Sequence, residues 1–474
     1  MIGDSPHLKT GFGRVNMIAA KEMQRQGWEV FSLGGLSKTA PEDDQGITTF
    51  PVNDDIDLLG VKYINETVRK VKPDCIYMTA DIGSVVHMSM GTPDMPAFSY
   101  IPIEGEPIIN KFWKAVAQNA HWLSVSKYGS DLVKRQLGRD VDWAWHGVDH
   151  NLFYQTGNRE ATRELFGWKD RFVIISVATN VQRKQLPRLI EAVSILKHQY
   201  KYTSDQLVLY LHTVPWQGHH LEGWNLFDIL DLFDVRDMVQ FHPMMSGLNS
   251  FVPEHTGDPK APGLVEIMNA ADLSVNVSQV EGASLTNIEA MACGLPVLTT
   301  KYAAGMEMVG NAGRGIHVHD WTVHKSGTMY ANVEPQRVAD EIRSLIRKPK
   351  DLAQMADASL ERAKLFTWDA FRSKLIPGIL KAVEDYGPEK RYLVKETPDT
   401  GHEVVVGQEP DQGHEGEDTI PQGHRGSTGQ GEDTVSEVPT DGLVEAQAEG
   451  QEEAAVAHSL LRTMIPDADT IHNS

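Results

Sequence analysis

The stretch "VSQVEGASLTNIEAMACGLPVLTT" runs from Val277 to Thr300. It follows a short apolar run, "ADLSVNVS", of the kind that forms a buried strand. The small-residue loop "EGASL" then leads into a predicted helix, "TNIEAMAC", which Gly294 and Pro296 bring to a stop. Two carboxylates bracket this unit: Glu281 just before the loop and Glu289 eight positions on, inside the helix. In such a strand–loop–helix the backbone N–H groups of Gly282, Ala283, Ser284 and Leu285 face outward at a helix N-terminus, a natural seat for an anionic diphosphate. A carboxylate can accept hydrogen bonds from the vicinal hydroxyls of a ribose or of a sugar ring. A carboxylate, an anion-binding loop and a second carboxylate therefore match sugar, diphosphate and ribose in order. The bland alternative for either acid is a side chain placed near a helix start by the helix dipole.

The surroundings repeat the same alternation. "WEVFSL" (Trp28 to Leu33), "DCIYMTA" (Asp74 to Ala80), "AFSYIPI" and "HWLSVS" read as short strands, separated by helical stretches such as Val15, Ile18, Ala19 and Met23, closed by Gly27. A second series begins at "FVIISVA" (Phe172 to Ala178) and continues through "QLVLYLH", "DMVQFH", "ADLSVNV" and "LPVLTT". The expected fold class is α/β: two doubly wound, Rossmann-like units in tandem, facing a ligand cleft. The expected boundaries are an N-terminal domain over 1–155, a second domain over 156–364 and a tail over 386–474; that the second binds the nucleotide-sugar, and that 365–385 form a closing helix packing back on the first, is implied by a family resemblance. Ahead of the glycine loop "TGFGRV" only Met1 and Ile2 can serve as a first strand. Either that strand is lost to a misplaced start, which is the favoured expectation, or the first sheet is built without it.

Composition narrows the classes. A chain of 474 residues is long for a single core. It has no run of eighteen apolar residues, and its first thirty residues lack a basic segment followed by an apolar one. The expectation is a soluble, cytoplasmic protein with no membrane span. Cys75 and Cys293 are the only cysteines, too few and too far apart for a disulfide framework. The formal charge is −21, but 19 acids against 5 bases lie between Glu389 and Ser474. That segment repeats "QGH" and "GEDT" among Gly, Pro, Ser and Thr, a composition that favours disorder. It is read as a solvating tail or as a docking arm for a basic partner, with a short helix possible in "LVEAQAEGQEEAAVAHSLL" (443–461).

The segment "EGASLTNIEAMACGLPV" resembles the E-x7-E stretch of the family 4 retaining glycosyltransferases, whose GT-B fold consists of two facing Rossmann-like domains. Five further segments agree in order. "TGFGRVNMIAAKEMQRQGWEV" resembles the family's first glycine loop and helix, carrying Gly11 and Gly13, and "SVSKYGSDLVKRQLG" a later helix of its first domain. "WHGVD" resembles the Asn-Gly-Val-Asp link, with His146 in place of Asn. "VATNVQRKQLPRLIEAVSIL" resembles the phosphate-clasp segment. "FTWDAFRSKL" resembles the closing helix. The likeness covers residues 1 to about 385. The opening "GDSPHLKTGFGRV" and the repeat-bearing tail also look like variants from bacteriophage genomes.

What the resemblance implies is a metal-independent, hexosyl-type transferase without a cofactor, taking a nucleotide-diphosphate-sugar as donor. Lys184 stands where the family has its phosphate lysine, and fixed positive charge there would stabilise a departing diphosphate. The family's companion arginine is missing, since Thr179 occupies its place, and the neighbouring Arg183 is a candidate substitute. Glu281 would orient the transferred sugar and Glu289 the ribose. In the first domain, "YIPIEGEPI" stands where many members put a histidine; Glu104 and Glu106 are read first as ordinary loop acids, with one of them facing the cleft as the alternative and Glu104 the candidate. The acceptor class stays open among polysaccharide, lipid, protein, small molecule and modified nucleic-acid base. Rival readings are an epimerase or phosphorylase on the same architecture, or a non-catalytic sugar-nucleotide binder acting through its tail. Asp55-x-Asp57 and the histidines His212, His219, His220 and His242 lack the context of a metal site. Only "KYGSDLVKRQLGR" is basic enough to suggest nucleic acid.

Overall fold

The computed structural model describes residues 1–40, 45–54, 56–216, 223–242, 254–258 and 261–387. The expected tail beyond Gly387 lies outside these residues, as do Asp55, His219 and His220.

Six short strands build the first sheet: β1 (Ile2–Asp4), β2 (Val30–Gly35), β3 (Ile47–Pro51), β4 (Ile76–Thr79), β5 (Ala97–Ile101) and β6 (His121–Ser124). All pair in parallel, in the order β3-β2-β1-β4-β5-β6. Against the expectation that the first strand is lost, Ile2–Asp4 form one in the interior of the sheet. Ile2–Asp4 pair with β2 on one side, and Ile2 and Gly3 with β4 on the other.

A second sheet repeats the plan with β7 (Phe172–Val177), β8 (Leu207–His212), β9 (Val239–Phe241), β10 (Leu273–Asn276), β11 (Val297–Thr300) and β12 (Gly313–Ile316), ordered β12-β11-β10-β7-β8-β9. Renumbered from its own first strand, this is the same order as in the first sheet. Every residue of β8 is buried, as expected of a central parallel strand covered on both faces. An antiparallel hairpin, β13 (Val318–Val323) and β14 (Met329–Val333), follows the second sheet. Its tip touches the first domain, the Met329 N–H donating to the Glu106 carbonyl at 2.9 Å; beside it Tyr302, just after β11, accepts from the Glu106 N–H at 3.0 Å.

In each sheet the strand order reverses at one point, between β1 and β4 and between β7 and β10. Open parallel sheets bind ligands at that point, beyond the carboxyl ends of the strands. The glycine loop leaves β1, the Lys184 segment leaves β7, and the Glu281 loop leaves β10.

The chain crosses between the domains twice. The link after β6 meets the return crossing where the Val148 N–H donates to the Phe366 carbonyl at 3.0 Å. The last described helix, Asp369–Tyr386, then packs Phe371, Leu375, Ile379 and Ala382 into the core of the first sheet beside Tyr100 and Leu123. It runs through Tyr386, the residue at which the tail was expected to begin. Among the described residues no helix is long and apolar enough to cross a membrane.

Candidate active site

The helix read from "TNIEAMAC" spans Leu285–Ala292. It ends where the Gly294 N–H donates to Met291 and the Leu295 N–H to Ala290, both at 2.9 Å. Its first-turn N–H groups have no partner within the helix, and its cap residue, Ser284, makes no side-chain capping bond. The Ser284 hydroxyl is held instead by the Asn276 amide at 3.0 Å. The mouth of the helix opens on a cleft of about 650 Å³, walled on one side by Asp4, Gly11, Arg14, Glu104 and His146, and on the other by Thr179, Arg183, Lys184, Gly282 to Leu285, and Glu289.

Lys184 sits in a one-turn helix after β7, and its ammonium donates to Glu281 Oε1 at 2.6 Å. Arg183 stands 3.8 Å from the other oxygen of Glu281 and 3.9 Å from Glu104. A hydrogen bond of 2.7 Å from the Gln279 N–H to the Arg183 carbonyl ties the two loops together. Asn276 steadies the acid further, its amide lying 3.4 Å from Glu281 Oε1 while its own oxygen accepts from the Ser278 hydroxyl at 2.6 Å.

Burial disfavours the charge on Glu281, yet Lys184 and Arg183 outweigh it and hold the carboxyl below its usual range. Burial pulls Lys184 down, with Glu281 opposing and Arg183 adding to the effect. The pair is thus an ionised contact in a site sheltered from water, where charge acts at full strength.

Glu289 is nearly inaccessible, its side chain 3% exposed, and it accepts from Arg14 Nη1 at 2.6 Å. Its carboxyl is pushed up by burial, against the pull of Arg14. Arg14 also reaches Glu254 at 3.5 Å. Neither Arg14 nor Glu254 stands out in the sequence. What could have flagged Arg14 is its place three residues beyond Gly11, on the same face of the helix Gly11–Arg25.

The first-domain loop contributes through close approach. The Gly13 N–H donates to the Thr10 hydroxyl, which caps the helix, and a Cβ on Gly13 would stand 2.3 Å from the Leu8 carbonyl oxygen. Thr10 in turn donates to Asp4 at 2.5 Å. Gly13 shapes the loop from behind, whereas Gly11 lines the cleft and faces the Leu285 side chain.

Of the two acids after β5, Glu104 faces the cleft and is pushed up by burial against the pull of Arg183. Glu106 turns to Arg135. His146 is buried with no hydrogen-bond partner for Nδ1 among the described residues, and burial, with the charge of Arg14, pulls its pKa down to about 3. It is a neutral imidazole at the cleft wall. Asp57 accepts from the N–H groups of Val61 and Lys62, both at 2.9 Å, as a helix-start acid does. His212 and His242 pack edge to face.

Gly282 lets the second-domain loop meet the first-domain wall: a Cβ there would fall 2.5 Å from Cβ of Pro102. Gly282→Ala is expected to cost about 1–3 kcal/mol through overpacking or to push the domains apart. Thermal unfolding and the radius of gyration in solution check this. A variant matching the original on both measures would mean that the two walls do not touch here.

Residues 255–362 match the family model described as "Glycosyl transferases group 1". Among curated proteins the chain is similar to a D-inositol 3-phosphate glycosyltransferase of Thermobifida fusca, 25% identical over 246 residues that make up 52% of this chain and 50% of that protein. It is also similar to D-inositol 3-phosphate glycosyltransferase 2 of Catenulispora acidiphila, 24% identical over 313 residues, 65% of this chain and 66% of that one. The chain thus spans about half to two thirds of the length of these relatives. Among solved structures, sucrose-phosphate synthase from Thermosynechococcus elongatus superposes with a TM-score of 0.61 at 15% identity, over 81% of this chain and 98% of the other. Anabaena HepE in complex with UDP-glucose does so with a TM-score of 0.55 at 17% identity, over 80% and 96%. The fold is GT-B.

Proposed function

We propose that this protein is a retaining, metal-independent glycosyltransferase that moves a hexosyl group from a nucleoside-diphosphate-sugar to an acceptor hydroxyl. The observation that carries the reading is the meeting of Lys184, Glu281 and Glu289 around one helix mouth inside the interdomain cleft. The match to the group 1 glycosyl transferases and the similarity to D-inositol 3-phosphate glycosyltransferases support transfer of a sugar. The complex of Anabaena HepE with UDP-glucose supports a nucleotide-sugar as the donor.

In this mechanism the diphosphate lies against the N–H groups of Gly282 to Leu285, with Glu289 on the ribose hydroxyls and Glu281 on the sugar. The bond between the anomeric carbon and the diphosphate oxygen breaks, and the electron pair leaves with the diphosphate. Lys184 and Arg183 stabilise the charge that appears there more strongly than the spread charge of the bound donor. The acceptor hydroxyl attacks the same face of the oxocarbenium-like centre and passes its proton to the departing phosphate oxygen, so the configuration is retained. Closure of the two walls excludes water and limits donor hydrolysis.

A thermal-shift panel of UDP-, GDP-, ADP- and dTDP-sugars tests this reading. A donor at 100 times its dissociation constant stabilises the protein by roughly 2.7 kcal/mol, and the same donor should fail to shift Lys184→Ala. If no nucleotide-sugar moves the unfolding curve of the unaltered protein, the reading is wrong.

A further inference from the structure

Lys184 and Arg183 are not surplus charge. Lys184 is held by Glu281 at 2.6 Å, and Arg183 lies between Glu281 and Glu104 at 3.8 and 3.9 Å. The second-domain wall thus presents two cations already faced by two carboxylates, and Thr179, which lines the same wall, adds no charge. A diphosphate leaving in a sheltered site calls for more fixed positive charge than this balance leaves.

The opposite wall carries a further cation, Arg14, which meets its two carboxylates, Glu289 at 2.6 Å and Glu254 at 3.5 Å, through Nη1 alone. Arg14 lies in the first turn of the helix Gly11–Arg25, and Gly11 faces Leu285 at the mouth of the second-domain helix. The two helix starts therefore converge on one point of the cleft. Arg14 reaches across to Glu289 with Nη1. Its Nε is buried and has no hydrogen-bond partner among the described residues, an expensive state for a donor unless a ligand satisfies it. A guanidinium has five N–H donors in a planar fork suited to phosphate oxygens, so Glu289 leaves most of its capacity unused.

We propose that Arg14 binds the diphosphate of the donor from the first-domain wall, through the part of its fork that the two carboxylates leave unused. This rests on the donor reading above. When ribose hydroxyls occupy Glu289, the guanidinium turns its free donors to the adjacent phosphate oxygens. The domain that approaches the donor thus brings a cation with it, and closure and stabilisation of the leaving group become one event.

The test compares affinities for nucleoside diphosphates (UDP, GDP, ADP, dTDP) with those for the matching nucleosides, by titration calorimetry on the full chain. The proteins are the unaltered chain, Arg14→Ala, Arg14→Lys and Lys184→Ala. Because Arg14→Ala leaves Glu289 buried without its partner, the substitution is also made in a Glu289→Gln background, where that penalty is absent. The expected result is a roughly tenfold to hundredfold loss of diphosphate affinity in Arg14→Ala, in both backgrounds, with nucleoside affinity kept within about twofold and partial recovery in Arg14→Lys. If the unaltered chain binds a nucleoside diphosphate, Lys184→Ala loses it and Arg14→Ala binds as before or more tightly, the proposal is overturned while the donor reading stands. If the unaltered chain binds none of the diphosphates, both fall together.

Discussion

Lys184→Ala is expected to slow sugar transfer by about 10²- to 10³-fold, the loss typical of removing one preorganised group that meets developing charge. The ammonium sits 2.6 Å from Glu281 in the fold itself, so its position does not have to be assembled when the donor arrives. A unit charge ~4 Å from the leaving oxygen is worth about 4 kcal/mol at an effective dielectric of 20, before desolvation is subtracted. Part of that has been met in advance, because the folded protein already holds Lys184 out of water beside a carboxylate. The effect should fall on kcat more than on the KM for the acceptor, since the charge develops in the transition state. Lys184→Arg keeps the charge but replaces a compact ammonium with a planar fork, and should recover only part of the rate. Steady-state kinetics on the donor found by thermal shift decide the matter. Lys184→Ala within threefold of the unaltered enzyme would remove Lys184 from the chemistry.

Glu281→Gln is expected to act differently, although it removes the other half of the same pair. Transfer should fall by roughly tenfold to 150-fold, the range for loss of a charge-assisted hydrogen bond to a sugar hydroxyl. Affinity for the nucleoside diphosphate alone should hold or rise, because Lys184 and Arg183 lose the carboxylate that competes with phosphate. Stability should fall by about 3–5 kcal/mol at neutral pH, the usual cost of leaving a buried charge without its partner. The pH dependence carries a definite sign. Glu281 is held below the usual carboxylate range, so its contribution is fully present above the unfolded value near ~4.3 and is lost as the pH falls through the lower folded value. The gap in unfolding temperature between the unaltered protein and Glu281→Gln should therefore be widest near neutrality and close in acid. A gap that widens with acidification would mean that the carboxyl is not ionised in the fold.

Apart from the edge strand β9, the strands that the sequence announces are largely buried. "FVIISV" and "LVLYLH" are continuous apolar runs because β7 and β8 lie at the middle of a covered sheet. The elements it hides are peripheral. β3 is an edge strand that ends in a proline, β12 is an edge strand reading "GRGI", and the β13–β14 hairpin exposes much of its surface, so none shows apolar alternation. Met1 and Ile2 look too few for a strand, yet β1 is formed over Ile2–Asp4 because partners on both sides fix it.

The candidate site divides in the same way. Lys184, Glu281 and the 282–285 loop are legible because each follows a recognisable strand and precedes a helix, so local order alone brings them to the sheet edge. The partnership of Arg14 with Glu289 joins residues 275 positions apart and depends on how two domains face each other, which no local pattern encodes. The choice between Glu104 and Glu106 is likewise decided by tertiary surroundings, one acid meeting Arg183 and the other Arg135.

The return of the chain at Phe366, and the burial of Phe371, Leu375 and Ile379 against the first sheet, interlock the two halves in sequence as well as in space. A single proteolytic nick in the link near residue 155 would leave the first half still carrying the far end of the polypeptide, so the fragments should stay associated until denatured. Truncation ahead of Asp369 would strip the apolar face of β5 and β6 and yield an aggregating product. To express the first half by itself, its two segments would have to be spliced, with the Asp369–Tyr386 helix fused directly behind the link.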